Sequence, residues 1–256
     1  TYDMGGTSTD VALIQDGMPT VSGELELEYA MPIHVPMVDV HTIGAGGGSI
    51  ARIDEAGLLQ VGPRSAGARP GPICYGRGGE EPTITDANLV LGRLDPARLL
   101  AVDAPVTLAR VRERLEQRIG QPIGVEADAA AAAILRVAND RMAGAIRMVS
   151  LARGYDPRDF ALFAFGGAGP LHACALAREL GIPQVLVPAR PGLTNALGCT
   201  TLAPPTRTPV ASSGSVRRHS SIVVRIRSVM LPIARVRRPM ASGFPNTLEP
   251  RTLRST

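Results

Sequence analysis

The sequence predicts an α/β fold, a mixed sheet with flanking helices. Three stretches carry that expectation. Residues 160–165 (FALFAF) form a continuous apolar run of strand length, as a strand buried on both faces would. The glycines at 166–169 then open a helix that Gly181 closes, and 184–187 is a second short apolar strand. Residues 126–152 are Ala-rich, with Ile134, Val137, Ala138, Met142, Ala145, Ile146 and Val149 at helical spacing.

The remaining elements follow in chain order. Tyr2–Met4 ends a strand, 5–9 (GGTST) is a tight turn, and 10–15 is the next strand. Asp16-Gly17 marks a hairpin. Residues 20–28 alternate apolar and polar, and 36–42 is a further short strand. A hairpin is expected across Glu55-Ala56-Gly57, joining 50–54 to 58–61. Residues 62–83 read as a long Gly/Pro/Arg loop, of a length often functional in compact domains. Helices are expected over 85–91, with Thr85 as capping candidate, and over 108–119, where 108, 111, 115 and 119 are apolar.

Composition narrows the function classes. The chain has no Lys, so no Lys phosphate clamp, Schiff base or Lys general base is available. Residues 1–200 hold 17 Arg and 22 acids, a net of −5, whereas 201–256 hold 10 Arg and one acid, a net of +9. The overall +4 therefore belongs to the tail, and the body shows no sign of nucleic-acid or membrane binding. The domain organisation expected is a lobe over 1–199 and an Arg/Ser/Pro-rich disordered tail over 200–256, with a shifted reading frame as one origin and a genuine basic tail as the other. Cys74, Cys174 and Cys199 are odd in number and widely spaced, which fits reduced thiols in a cytoplasmic protein. The opening inside a strand, without Met, leads us to expect sequence upstream.

Two glycine motifs carry the chemistry. In Asp3-Met4-Gly5-Gly6-Thr7-Ser8-Thr9-Asp10, a turn between two strands can gather backbone N–H groups and hydroxyls around a phosphate without any Lys. Asp3 and Asp10 are candidate Mg²⁺ holders, since that ion takes oxygen ligands. The plainer reading is a Gly-rich hairpin. In Phe165-Gly166-Gly167-Ala168-Gly169-Pro170-Leu171-His172, glycines precede a helix whose N-terminus favours anions. Tight strand–helix packing explains that motif equally well. Gly46 and Gly47, within 44–49 (GAGGGS), suggest a second phosphate contact or simply a tight turn. Asp39 and His41, alternate residues on one strand, together with His172 and His34 could hold a second divalent metal such as Zn or Mn; buried hydrogen-bonded histidines are the alternative. Arg64, Arg69 and Arg77 are candidate contacts for a substrate carboxylate or phosphate, or are solvated. Asp86 and Asn88 read as capping residues, Asn195 as a residue near the cleft, and Cys74 and Cys174 as packing residues.

Taken together, DxGGTxTD and FGGAGPLH resemble the phosphate and adenosine motifs of the actin-like ATPase superfamily, with sugar kinases and Hsp70. Residues 38–51, 62–94 and 153–173 resemble the hydantoinase A / 5-oxoprolinase family in particular, over about 1–199. The resemblance implies a ribonuclease-H-like lobe with a five-stranded mixed sheet. ATP would contact Gly5, Gly6, Thr7, Ser8 and Thr9 through its phosphates, and Gly166, Gly167 and Gly169 near its adenosine. The implied chemistry is ATP-coupled opening of a cyclic amide such as 5-oxoproline or a hydantoin, with a hydantoinase B-type subunit or domain as partner. An acetone-type ketone carboxylase subunit and a non-catalytic actin-like nucleotide-binding module are the alternatives. The family's first phosphate motif is not in this sequence, so the chain by itself is expected to be inactive.

Overall fold

The computed structural model describes residues 1–22, 25–27, 31–33, 37–99, 102, 106–201 and 222–225. In chain order the strands are β1 (Tyr2–Met4), β2 (Thr9–Ala12), β3 (Ile14–Gln15), β4 (Met18–Pro19), β5 (Val21–Ser22), β6 (Leu25–Leu27), β7 (Met31–Ile33), β8 (Met37–Val38), β9 (Val40–Ile43), β10 (Ser49–Ile53) and β11 (Leu59–Ser65). Helices α1 (Ile84–Val90), α2 (Leu108–Leu115), α3 (Gln121–Ile123) and α4 (Ala127–Leu151) follow. The chain continues through β12 (Ala161–Phe165), α5 (Gly169–Leu180), β13 (Gln184–Val187), α6 (Thr194–Thr201) and β14 (Ile222–Arg225).

The main sheet has six strands in the order β14-β13-β12-β1-β2-β9, one more than the five expected. β12 runs parallel to both β1 and β13, and the other neighbours are antiparallel, so the sheet is mixed. The sixth strand comes from the tail. Ile222–Arg225 pairs antiparallel with β13, so this piece of the segment expected to be disordered is ordered. Its β-branched Ile222-Val223-Val224 run suits an edge pairing. The rest of the tail beyond residue 201 lies outside the described residues, as does His34.

Strand alternation decides which side chains meet the helices. Tyr2, Met4, Thr9, Val11, Leu162, Ala164 and Val185 are buried on one face. That face packs against α4 and α5, where the Tyr2 hydroxyl reaches Met142 Sδ at 3.0 Å. Asp3, Asp10 and Thr42 lie on the other face. β12 is not buried on both faces as its run of apolar residues suggested: Phe163 and Phe165 stay half-buried there, with ring centroids 5.4 Å apart.

The long helix forms as its periodicity predicts, and its stripe of Ile134, Ala138, Met142, Ala145, Ile146 and Val149 lies in the core. Helix α1 starts one residue earlier than expected. Thr83, not Thr85, is its N-cap, closed as a capping box with Asp86. The 108–119 helix continues α2 into a π-helical segment at Glu116–Gly120, which turns the chain toward α3. The 62–83 segment is less irregular than expected: β11 extends to Ser65, and Ile73–Tyr75 is a turn of 3₁₀ helix.

Candidate functional site

The β1–β2 hairpin forms the floor of the candidate site. Tight closure comes from the Gly5 N–H donating to the Ser8 carbonyl at 3.0 Å. Gly6 and Thr7 stand exposed at the tip, while Gly5 and Ser8 are half-buried at its base. Below the tip, Asp3 and Asp10 are direct cross-strand partners, so their side chains share a face. Each carboxylate accepts one neutral donor: Asp3 Oδ2 from Asn195 Nδ2, and Asp10 Oδ1 from the Thr42 hydroxyl, both at 2.6 Å. Two opposed carboxylates with free oxygen lone pairs form a hard oxygen donor set of the kind Mg²⁺ takes.

Gly166 approaches this pair from β12. Its φ is +81°, its N–H donates to the Pro191 carbonyl at 3.0 Å, and a β-carbon there would overlap the Asp3 carboxylate. Gly167 faces open space beside it. Gly169 does not belong with them. It is buried beneath the Tyr2 ring, whose nearest carbon would be 3.4 Å from a β-carbon at Gly169, so it serves helix–strand packing.

Thr9 likewise faces the core. It is fully buried, and its hydroxyl donates to the Ala45 carbonyl. Alternation along β2 requires this, since Thr9 shares the core face with Val11. Gly46 and Gly47 are also buried and touch the hairpin from behind rather than facing a ligand. Gly47 N–H donates to the Gly5 carbonyl at 3.0 Å and Gly48 N–H to the Gly6 carbonyl at 2.6 Å. Gly46 leaves no space for a β-carbon against the Gly6 and Thr7 backbone. Thr85 fixes this loop in turn: both its N–H and its hydroxyl donate to the Gly47 carbonyl at 2.8 Å.

The Asp39/His41/His172 metal set does not form. His172 is fully buried, with Nδ1 2.8 Å from Asn139 Oδ1 and Nε2 3.3 Å from Asn88 Nδ2, so both ring nitrogens are engaged. Burial, with a smaller effect of Arg93, lowers its pKa to about 4, which keeps it neutral. Asp39 is ion-paired with Arg153 from the end of α4, and His41 lies opposite Val11 on β9. Among the described residues, no three His, Cys, Asp or Glu side chains are grouped to hold a metal.

The candidate substrate arginines are on the surface. Arg64, near the end of β11, is 70% exposed and 3.8 Å from Glu81, and Arg69 is exposed in the loop that follows. Arg77 donates to the Ala68 carbonyl at 3.2 Å and lies over the Tyr75 ring. Asp86 is fully buried and accepts from the N–H groups of Ile73, Cys74 and Thr83 and from the Thr83 hydroxyl, at 2.8–3.1 Å. It organises this loop and caps α1. Cys74 is buried beside it, its thiol pKa pushed up by burial. Cys174 is half-buried and Cys199 exposed. Sequence reading missed Ser65 and Asn139, whose contacts with Thr7 and His172 join residues distant in the chain, and it took Thr85 as a helix cap where it holds the Gly47 carbonyl instead.

The hydantoinase/oxoprolinase family model matches residues 1–206. The chain is 49% identical over 189 residues to caprolactamase subunit alpha of Pseudomonas jessenii, covering 73% of this chain and 27% of that one. It is 39% identical over 214 residues to 5-oxoprolinase 1 of Arabidopsis thaliana, covering 77% and 16%. The crystal structure of the ATP-dependent caprolactamase from Pseudomonas jessenii matches with a TM-score of 0.70 at 47% identity, over 77% of this chain and 28% of that one. A nucleotide-free acetone carboxylase structure matches with a TM-score of 0.70 at 34% identity, over the same shares. The chain thus spans less than a third of the length of each of these relatives. Its mixed sheet and helices are those of an actin-like ATPase-type lobe. No helix among the described residues is long and apolar enough to cross a membrane. With its family match running through the hairpin, the Gly44–Gly48 loop and the Gly166 turn, the chain belongs to the hydantoinase/oxoprolinase family.

Proposed function

We propose that the chain is the phosphate-binding lobe of an ATP-dependent enzyme that opens a cyclic amide. The observation that carries this reading is the Asp3–Asp10 pair beneath the exposed Gly6–Thr7 tip, with the Gly166 backbone pressed against Asp3. Backbone N–H groups and hydroxyls of Gly6, Thr7 and Ser8 hold the phosphates, and Gly166 and Gly167 leave space for the sugar and base. Asp3 and Asp10 hold Mg²⁺, directly or through water, which offsets charge on the phosphates. Asn195 and Thr42 orient these carboxylates, each leaving one oxygen outside its hydrogen bond. Transfer of the terminal phosphoryl group to the amide oxygen, with release of ADP, would turn a poor electrophile into one that water can attack. The ring nitrogen would then leave with a proton, opening the ring to an acyl phosphate, and a second water would displace phosphate to give the carboxylate.

Relatives named as caprolactamase and 5-oxoprolinase support the cyclic-amide substrate. A ketone carboxylase subunit is the second reading, supported by 44% identity over 191 residues to acetophenone carboxylase gamma subunit of Aromatoleum aromaticum. Several relatives are named as subunits, which supports a partner chain of the hydantoinase B type. The failed metal set gives no support against a non-catalytic module; the enzyme names of the relatives do.

Calorimetric titration of the full chain with ATP, with and without Mg²⁺, tests the reading. Mg²⁺-dependent binding that Gly6→Arg abolishes is expected. No binding, or equal binding by the variant, overturns it. In the longer enzyme that contains this lobe, ADP release dependent on a lactam, against release dependent on a ketone with bicarbonate, then separates the two substrate classes.

A further inference from the structure

The hairpin tip does not stand alone. Ser65, the last residue of β11, brings its hydroxyl to 3.4 Å from that of Thr7. The same Ser65 Oγ accepts the Gly67 N–H at 3.1 Å. That bond uses the oxygen as acceptor, and either hydroxyl can be the donor in the Thr7–Ser65 contact, so the Ser65 proton is available to a ligand when Thr7 is the donor. Thr7 is exposed and Ser65 half-buried, so a ligand lying on the hairpin tip meets both hydroxyls.

The distance between them is held by backbone. Gly48 N–H donates to the Gly6 carbonyl at 2.6 Å, and the Gly48 carbonyl accepts the Ala66 N–H at 2.8 Å. One residue of the glycine loop therefore bridges the hairpin tip and the residue after Ser65. A side chain at Gly48 would crowd this bridge, because a β-carbon would stand 3.0 Å from the Gly6 carbonyl oxygen and 3.1 Å from Ser65 Oγ. Gly46 presses on the Thr7 backbone from the same loop.

The order of groups along the site gives Ser65 its place. Gly166 lies against Asp3 and Met4 at the base of the hairpin, whereas Gly46–Gly48 and Ser65 lie against Gly6 and Thr7 at its tip. A nucleotide with its sugar end at Gly166–Gly167 runs its phosphates toward Thr7, and the last of them arrives beside Ser65.

From this we infer that Ser65 is a further nucleotide-binding residue, whose hydroxyl donates to the terminal phosphate of a nucleoside triphosphate alongside Thr7. The inference rests on the nucleotide reading above. The Gly48 bridge also makes this contact the link between phosphate occupancy and the exposed end of β11 with the loop after it, where Arg64 and Arg69 lie. A diphosphate, lacking the terminal group, makes no contact with Ser65.

The test compares Mg²⁺-ATP and Mg²⁺-ADP binding by the full chain and its Ser65→Ala and Ser65→Thr variants. Ser65→Ala is expected to weaken ATP on the order of tenfold, the scale of one lost charge-assisted hydrogen bond. ADP affinity should change less than about twofold by the same reasoning, and Ser65→Thr should restore ATP binding. A purely structural Ser65, needed only to cap Gly67, would weaken ATP and ADP alike; that result overturns the inference. Unchanged ATP affinity in Ser65→Ala also overturns it while leaving the nucleotide reading intact. Absence of any nucleotide binding by the unsubstituted chain overturns both.

Discussion

Gly166 and Asp3 are in contact at a place where no side chain fits: a β-carbon on Gly166 would overlap Asp3 Oδ1 and stand 2.5 Å from the Met4 carbonyl oxygen. The residue also has φ +81°, a region L side chains avoid at a cost of about 1–2 kcal/mol. Gly166→Ala therefore combines backbone strain with displacement of a proposed Mg²⁺ holder. Urea unfolding is expected to show a loss of about 2 kcal/mol or more. Mg²⁺-ATP titration should show binding weakened by at least about tenfold. Unchanged stability and binding would mean that the turn accommodates the methyl group and that Asp3 is not held by this approach.

Gly46 and Gly6 make opposite predictions from neighbouring positions. A β-carbon on Gly46 would lie 2.5–2.7 Å from backbone atoms of Thr7 and Gly6, which cannot swing aside as a flexible side chain would. Gly46→Ala is expected to cost about 1–3 kcal/mol of stability and to shift the hairpin tip. A β-carbon on Gly6 meets nothing within 4 Å. Gly6→Ala should therefore leave stability within about 0.5 kcal/mol while weakening nucleotide binding, because the methyl takes space meant for a phosphate. Thermal melts and ATP titrations of the two variants check both halves of this contrast.

The same pair explains what the sequence could disclose. A cluster of glycines signals close approach of something to the backbone, and reads alike whether that partner is a ligand or another strand of protein. The 5–8 turn was legible as a hairpin tip because strands flank it. Of the two readings open for the 44–49 loop, phosphate contact or tight turn, the structure has a turn packed on the hairpin, and its partner, Thr7, lies far away in sequence. Thr9 could have been placed correctly: alternation with Val11 puts it on the core face whenever Asp10 faces the site. Helix α4 and strand β12 were legible because period and length are local properties. For His172 the metal reading and the buried hydrogen-bonded reading both stayed open; the structure has the second, and its partners Asn139 and Asn88 come from two other helices. The edge strand at Ile222–Arg225 was hidden by the Arg/Ser/Pro composition around a four-residue β-branched run.

His172 gives the fold an acid-sensitive point. Burial lowers its pKa to about 4 against an ordinary value of 6.5, so the unfolded chain binds the proton more readily than the folded one. Its contribution is thus complete above about pH 6.5 and is lost as pH falls toward 4, by roughly 2 kcal/mol at pH 5. His172→Gln removes the titration while keeping an amide between Asn88 and Asn139. Urea unfolding at pH 7, 6 and 5 should show a shallower loss for the variant than for the unsubstituted chain. The comparison also separates His172 from Asp86, whose buried carboxyl has its pKa raised by desolvation. Parallel pH dependences would assign the acid sensitivity elsewhere.

Asp3 and Asp10 are direct cross-strand partners, and two like charges in that position repel unless a cation lies between them. Each carboxylate accepts one neutral hydrogen bond, from Asn195 or Thr42, and neither is ion-paired among the described residues. Asp3→Asn and Asp10→Asn are therefore expected to leave thermal stability unchanged or slightly raised, by less than about 1 kcal/mol. Mg²⁺ should then cease to strengthen ATP binding, while binding of metal-free ATP rises because one negative charge beside the phosphates is gone. Titrating each variant with ATP at several Mg²⁺ concentrations measures this directly. An Mg²⁺ dependence that survives both substitutions would place the ion on groups other than these two carboxylates, and would leave Asp3 as a hydrogen-bonding partner of Asn195 alone.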